Sequence, residues 1–193
     1  MIRSRCGRAC WASLLAVVAA AIVAAPAGAK TRTHSSGPIN ASIPEPSYPL
    51  GGAGGVGTAA DTIRVNTRGK ITDVDVALRI SHTYDEDLEV WLMSPAGAII
   101  KLVLRRGADG DNFGEGSLGC GGSFTVLDDE ASLPIGSGVA PLSGSFRPDQ
   151  PLSRLNGGRA KGSWTLLVLD AIPGDTGVLH CWELTIASKA RKK

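Results

Sequence analysis

Clustered carboxylates are the side chains here with the widest chemical reach. They gather at Asp85, Glu86, Asp87 and Glu89, at Asp109 and Asp111, and at Asp128, Asp129 and Glu130. A calcium ion takes six to eight oxygens from carboxylates, amides and carbonyls, and glycine-rich loops expose carbonyls. The stretch Arg105–Gly116, RRGADGDNFGEG, supplies both kinds of oxygen. Carboxylates crowded at one end of a fold repel each other unless a cation neutralises them. The competing reading makes them turn formers, Asx caps or partners of Arg105 and Arg106. Their spacing is not that of an EF-hand loop. If calcium binds, Asp87, Asp111 and Asp128 are the expected ligands.

Nucleophilic catalysis finds little support. A serine hydrolase needs an acid, a histidine and a serine in one constellation. Beyond the N-terminus the histidines are His34, His82 and His180, and no Gly-x-Ser-x-Gly elbow accompanies them. His34 falls in a polar, proline-rich stretch, His82 is expected to be a hydrogen-bonded structural residue, and His180 lies beside Cys181 near the last strand. No catalytic residue is expected. The glycine run at 51–57 is no phosphate cradle, because neither a preceding strand nor a Gly-Lys-Ser/Thr follows the pattern.

Residues 1–29 read as a secretory signal peptide. Arg3, Arg5 and Arg8 form a basic start, Leu14 to Ala25 an apolar run, and Pro26-Ala27-Gly28-Ala29 a small-residue cleavage site. The apolar run is short of the ~20 residues that span a bilayer, so no membrane span is expected. Export leaves Cys120 and Cys181, which in an oxidising compartment are expected to form a disulfide. Closing so long a loop would stabilise by about 4 kcal/mol. A zinc site lacks the required ligand spacing.

Between Lys30 and Arg32 at one end and Lys189, Arg191, Lys192 and Lys193 at the other, eleven basic residues face eighteen acidic ones. That balance argues against nucleic acid as a partner. Residues 30–57 are rich in Ser, Pro and Gly and are expected to be a linker.

From Asp61 the apolar period becomes two. Ile63 and Val65, then Val74, Val76, Leu78 and Ile80, then Leu88, Val90 and Leu92 alternate with polar residues; Ala98–Leu104, Trp164–Val168 and Val178–Ile186 add further short runs. No segment keeps a helical period, which predicts an all-β sandwich. Residues 105–163 are the least strand-like, and a loop so long calls for a clamp or a function. Trp91, Trp164 and Trp182 are expected to pack within the strands, or else to offer an aromatic patch to a partner or sugar.

Several motifs run in a familiar order: Ser81-His82-Thr83-Tyr84-Asp85-Glu86-Asp87-Leu88, Leu92-Met93-Ser94-Pro95-Ala96-Gly97, Gly110-Asp111-Asn112-Phe113, Leu127-Asp128-Asp129-Glu130-Ala131, Gly144-Ser145-Phe146-Arg147-Pro148, Gly162-Ser163-Trp164-Thr165-Leu166, Gly174-Asp175-Thr176-Gly177 and Trp182-Glu183-Leu184-Thr185-Ile186. Over residues 58–187 the chain resembles the P domain (Homo B domain) of kexin- and furin-like proprotein convertases. The resemblance implies a jelly-roll β-sandwich of galactose-binding-like architecture; residues 188–193, with Lys189, Arg191, Lys192 and Lys193, read as a basic tail after it. It also implies a non-catalytic stabilising or interaction module, engaging a subtilisin-like protease in trans, and it adds weight to calcium. Its alternative is a calcium-dependent adhesive or carbohydrate-binding sandwich. Cys120 and Cys181 fall outside the general pattern, and Gly119-Cys120-Gly121-Gly122 reads as a small insertion.

Overall fold

The computed structural model describes residues 28–47, 55–115 and 119–190. Most of the expected signal peptide, the start of the glycine run and the last three residues lie outside these. Among the described residues, ten strands form two sheets. They are β1 (Lys30–Ser35), β2 (Ala41–Ile43), β3 (Gly57–Val65), β4 (Lys70–His82), β5 (Leu88–Met93), β6 (Ile99–Leu104), β7 (Thr125–Leu127), β8 (Gly144–Phe146), β9 (Gly162–Asp170) and β10 (Gly177–Lys189). One sheet runs β1-β10-β4-β7-β8, with β2 also on β10, and the other runs β3-β9-β5-β6. Every pairing is antiparallel except β7 with β8. The all-β sandwich expected from the period-two pattern is the fold.

The alternating residues make the core. Val74, Val76, Leu78 and Ile80 of β4 are buried against Leu88, Val90 and Leu92 of β5 and Leu166 and Val168 of β9, in one cluster with Leu184 and Ile186 of β10. Each such aliphatic side chain contributes roughly 1.5–3 kcal/mol when fully removed from water. Trp164 and Trp182 are wholly buried, and each satisfies its indole N–H: Trp164 donates to the Ala160 carbonyl at 2.8 Å and Trp182 to Asp61 Oδ2 at 2.8 Å.

The linker expectation for 30–57 is corrected over its described part. Lys30–Ser35 pairs residue by residue with Ser188–Glu183 of β10, and Ala41–Ile43 pairs with Leu179–Gly177. Composition misleads here because β1 is an edge strand held by its backbone ladder, with almost every side chain exposed. Ile43 of β2 is fully buried in the core. His34 accordingly sits in β1, with Nε2 3.4 Å from Thr67 Oγ1.

Residues 105–163 fold around scattered anchors. Phe113, Leu127, Leu142, Phe146, Leu152 and Leu155 are all buried. Phe113 also exchanges both backbone hydrogen bonds with Ile80, at 2.9 and 3.0 Å.

Candidate functional site

Three groupings of polar side chains are candidates, and period-two geometry builds the first. In the antiparallel pair β4–β7, Val76 faces Leu127 and Ala77 faces Val126. Continuing that register places Asp75 beside Asp128 and Asp73 beside Glu130, all on the same face. Carboxylate oxygens of Asp73, Asp75 and Glu130 lie within 4.8 Å of one another. Asp128 accepts the Glu130 backbone N–H at 2.7 Å, closing an Asx turn at the rim. Burial, then the charges of Asp73 and Asp128, push Asp75 up to about 7. The side-chain hydrogen bond with Asp128 and then burial raise Glu130 to about 7. Asp73 is raised chiefly by burial. Asp73, Asp75 and Glu130, three acids that resist joint ionisation, form a hard-oxygen donor set of the kind calcium takes.

The second grouping lies where the turn after β4, the loop after β6 and the loop after β9 meet. Asp85 is fully buried and neither carboxylate oxygen has a well-formed hydrogen bond. Desolvation raises its pKa to about 7; the Asn112 backbone N–H opposes the rise and Asp111 adds to it. The loop closes on it through the Asp85 N–H to the Gly110 carbonyl at 2.8 Å and the Glu86 N–H to the Ala108 carbonyl at 3.2 Å. Gly107 has φ +106°, and a Cβ there would stand 2.6 Å from the Cβ of Asp85. Only glycine lets the loop pack so closely. The Arg106 guanidinium grips Asp149 through Nε at 3.1 and 3.2 Å and Nη2 at 2.7 Å, while Arg105 Nε donates to the Glu86 carbonyl at 3.2 Å.

His82 and Asp170 lie behind this loop, with Nε2 3.3 Å from Oδ2 and both side chains wholly buried. Asp170 Oδ1 also accepts the Ile172 N–H at 3.1 Å, capping the loop after β9. His82 is therefore a structural residue with a carboxylate partner. Asp87 stands nearby, its pKa raised by burial first and then by Asp170 and Asp175.

Asp87, Asp111 and Asp128 do not form one ligand set. Among the described residues only Asp73, Asp75 and Glu130 bring three acidic ligand atoms together. Asp128 belongs beside them, Asp111 beside Asp85, and Asp87 beside Asp170 and Asp175. Asp73 and Asp75 escaped sequence reasoning because their alternation looks like an ordinary amphipathic strand. The signal was there as two period-two acid pairs, Asp73/Asp75 and Asp128/Glu130, but joining them requires the strand register.

The third grouping centres on His180, which is the extra residue where the β10–β4 register slips between Leu179 and Cys181. A bulge re-aims side chains and frees ladder groups. The freed His180 carbonyl accepts the Ile39 and Asn40 N–H groups at 2.9 and 3.2 Å. Its Nδ1 faces Asn40 Oδ1 at 3.2 Å and Nε2 meets Ser81 Oγ at 2.7 Å. With Asn40 accepting at Nδ1–H, Nε2 accepts from the serine hydroxyl. The chain of serine, histidine and amide has the connectivity of an activated nucleophile, yet Ser81 lies in a regular strand with no sharp turn to present its oxygen. Burial first, and then Arg79, lower the His180 pKa.

Next to it stand Cys120 and Cys181, free thiols in the structure, Cys120 half-buried and Cys181 fully buried. Burial, then the hydrogen bond with Cys120, push Cys181 up to about 12. Arg79 Nη1 donates to the Gly119 carbonyl at 2.6 Å and to the Gly121 carbonyl, which holds the Cys120 segment over β4 and β10. Trp91, unlike the other two tryptophans, is half-exposed; its indole donates to Glu89 Oε2 at 3.0 Å and the Lys101 ammonium lies 4.7 Å from the ring centroid.

With this geometry in hand, the chain can be set beside known proteins. The family model for the proprotein convertase P-domain matches residues 71–119 and 141–186. The chain belongs to the proprotein convertase P-domain family. The matched segments take in β4, β5 and β6, then β8, β9 and most of β10, and so both sheets. They leave out 120–140, which includes Cys120 and the Leu127–Ala131 stretch read above as part of the pattern. Among solved structures, the chain is similar to the serine protease of Aeromonas sobria, with 17% identity, a TM-score of 0.45, and coverage of 83% of this chain and 27% of that one. It is also similar to the complex of the Aeromonas sobria serine protease and its chaperone, with 18% identity, a TM-score of 0.48, and coverage of 84% and 27%. The chain thus spans about a quarter of the length of those structures. No curated protein matches it.

Proposed function

We propose that this P domain is an exported, non-catalytic module that docks in trans on a subtilisin-like serine endopeptidase and stabilises it. The observation that carries the reading is the family match across both sheets of the sandwich. The histidines agree with it: His82 is committed to Asp170 in the core, and His180 to a cross-strand contact with Ser81. In the exported form Cys120 and Cys181 close into a disulfide and fasten the segment after β6 to β10. The test is capture from culture supernatant on the immobilised chain, at near-physiological calcium. Recovery of a subtilisin-like protease supports the reading, and recovery of none counts against it.

A calcium-dependent adhesive or carbohydrate-binding sandwich is the second reading. The convergence of Asp73, Asp75 and Glu130, with Asp128 beside them, favours it. These residues would hold the ion, which would neutralise their mutual repulsion and tie β7 to β4. The hollow along Trp91, Ile99 and Lys101 is the accompanying candidate for a sugar ring. Calcium titration followed by a glycan array tests it; a melting temperature indifferent to chelator, with no glycan bound, refutes it.

A further inference from the structure

Two hollows lie side by side at the end of the sandwich where β3 turns into β4, β1 begins and β10 finishes. One, of about 450 Å³, is lined by Arg68, Lys70, Arg159 and Lys161 together with Gly69 and Ala190. The other, of about 420 Å³, includes Lys30, Arg32, His34 and Arg68 in its wall. Arg68 and Ala190 belong to both, so the hollows join into one track. Neither wall contains an acid.

The backbone sets these cations in place. Ile71 donates to the Gly158 carbonyl at 3.0 Å, Gly157 to the Ile71 carbonyl at 2.8 Å and Ala160 to the Gly69 carbonyl at 3.3 Å, which brings the turns at 68–70 and 157–161 together. Pairing of Lys30 with Ser188 adds the start of β1. Among the described residues, the two ion pairs are His82–Asp170 and Arg106–Asp149, and none of the track's cations takes part. In the sequence Arg191, Lys192 and Lys193 follow directly on Ala190. The domain between its basic ends is acidic, so this end holds a segregated charge rather than a share of a general surplus. Like charges gathered along a groove raise the local concentration of an anionic partner.

We propose that this track binds a linear polyanionic glycan carrying sulfate or carboxylate groups at regular intervals. Two joined hollows suit an extended chain better than a compact anion. The walls hold no Phe, Tyr or Trp ring on which successive nucleobases would stack. None of the large exposed apolar side chains, Val56, Tyr84, Met93, Ile99, Leu133 and Val139, lines them, so nothing there enters a bilayer.

Heparin is the probe. The protein is expected to bind it at low salt and to release it steeply as salt rises, as counterion release requires. Arg68→Ser with Lys161→Ser should weaken binding by roughly fivefold per cation removed. Arg105→Ser with Arg154→Ser, the same charge change on other loops, should leave it unaltered. All four side chains are exposed, so the fold is kept. In the unsubstituted protein heparin should also shield Lys70 and Lys161 from acetylation. Absence of heparin binding, equal loss in both variants, unchanged reactivity of Lys70 and Lys161, or tighter binding to polyglutamate or to anionic phospholipid vesicles than to heparin would each overturn the proposal.

Discussion

Replacing Asp85 by asparagine isolates the energetic cost of the buried acid. Its carboxyl is fully buried with no well-formed hydrogen bond, and its pKa is raised from 3.8 to about 7. A folded-state pKa above the unfolded one means that the folded state prefers the neutral acid. Below pH 4 both states are protonated and nothing is lost. Between pH 4 and 7 the unfolded chain ionises first, so stability falls as pH rises, and above 7 the loss levels off. At about 1.4 kcal/mol per pH unit, three units amount to about 4 kcal/mol in the metal-free protein. Asp85→Asn removes that dependence while adding a pH-independent cost of roughly 1–2 kcal/mol for its unsatisfied amide. The difference in unfolding free energy between variant and parent should therefore swing by about 4 kcal/mol in the variant's favour from pH 4 to pH 8. Urea unfolding with chelator present, at both pH values, measures it directly. A difference that stays constant across this range would refute the assignment of Asp85 as a buried, poorly solvated acid.

Removing the imidazole beside Asp170, by His82→Ala, should cost about 3–5 kcal/mol because it takes a partner from a fully buried carboxylate and leaves a cavity; a loss under about 1 kcal/mol would show that the pair is solvated. Asp75→Asn with Glu130→Gln should abolish any rise in melting temperature on adding calcium. In the parent that rise should shrink as pH falls through about 7, where protons compete for both groups; a response that survives the substitutions places the ion elsewhere. Reduction of the exported protein should lower its stability by about 4 kcal/mol if Cys120–Cys181 closes the loop between them, and two thiols that alkylate without reductant would contradict that. A fluorophosphonate probe should leave Ser81 unlabelled, and labelling that disappears in His180→Ala would overturn the non-catalytic reading.

The strands that bury one face were legible because alternation survives translation into burial: Val74 to Ile80, Leu88 to Leu92 and Trp164 to Val168 all sit where their period places them. The strands β1 and β2 were not, since an edge held by backbone hydrogen bonds leaves no apolar trace in Lys30–Ser35. Phe113 announced itself as the lone aromatic of a glycine-rich loop. The acidic sites were legible only in part. Asp128 was found as a loop acid, but its neighbours Asp73 and Asp75 depend on the pairing of β7 with β4, which no local pattern encodes. His180 looked like an ordinary strand residue because a bulge is a property of two strands together. Asp85 resembled its exposed neighbour Glu86 in sequence; the loop through Gly107 is what buries it.

The role proposed for this sandwich is to stabilise a subtilisin-like protease in trans. Its most direct measurement is the thermal inactivation half-life of a subtilisin-like catalytic domain from the same proteome, with and without an equimolar amount of this chain. The two should co-elute on size exclusion and the half-life should lengthen, while the chain alone should show no peptidase activity. Separate elution with an unchanged half-life would contradict it.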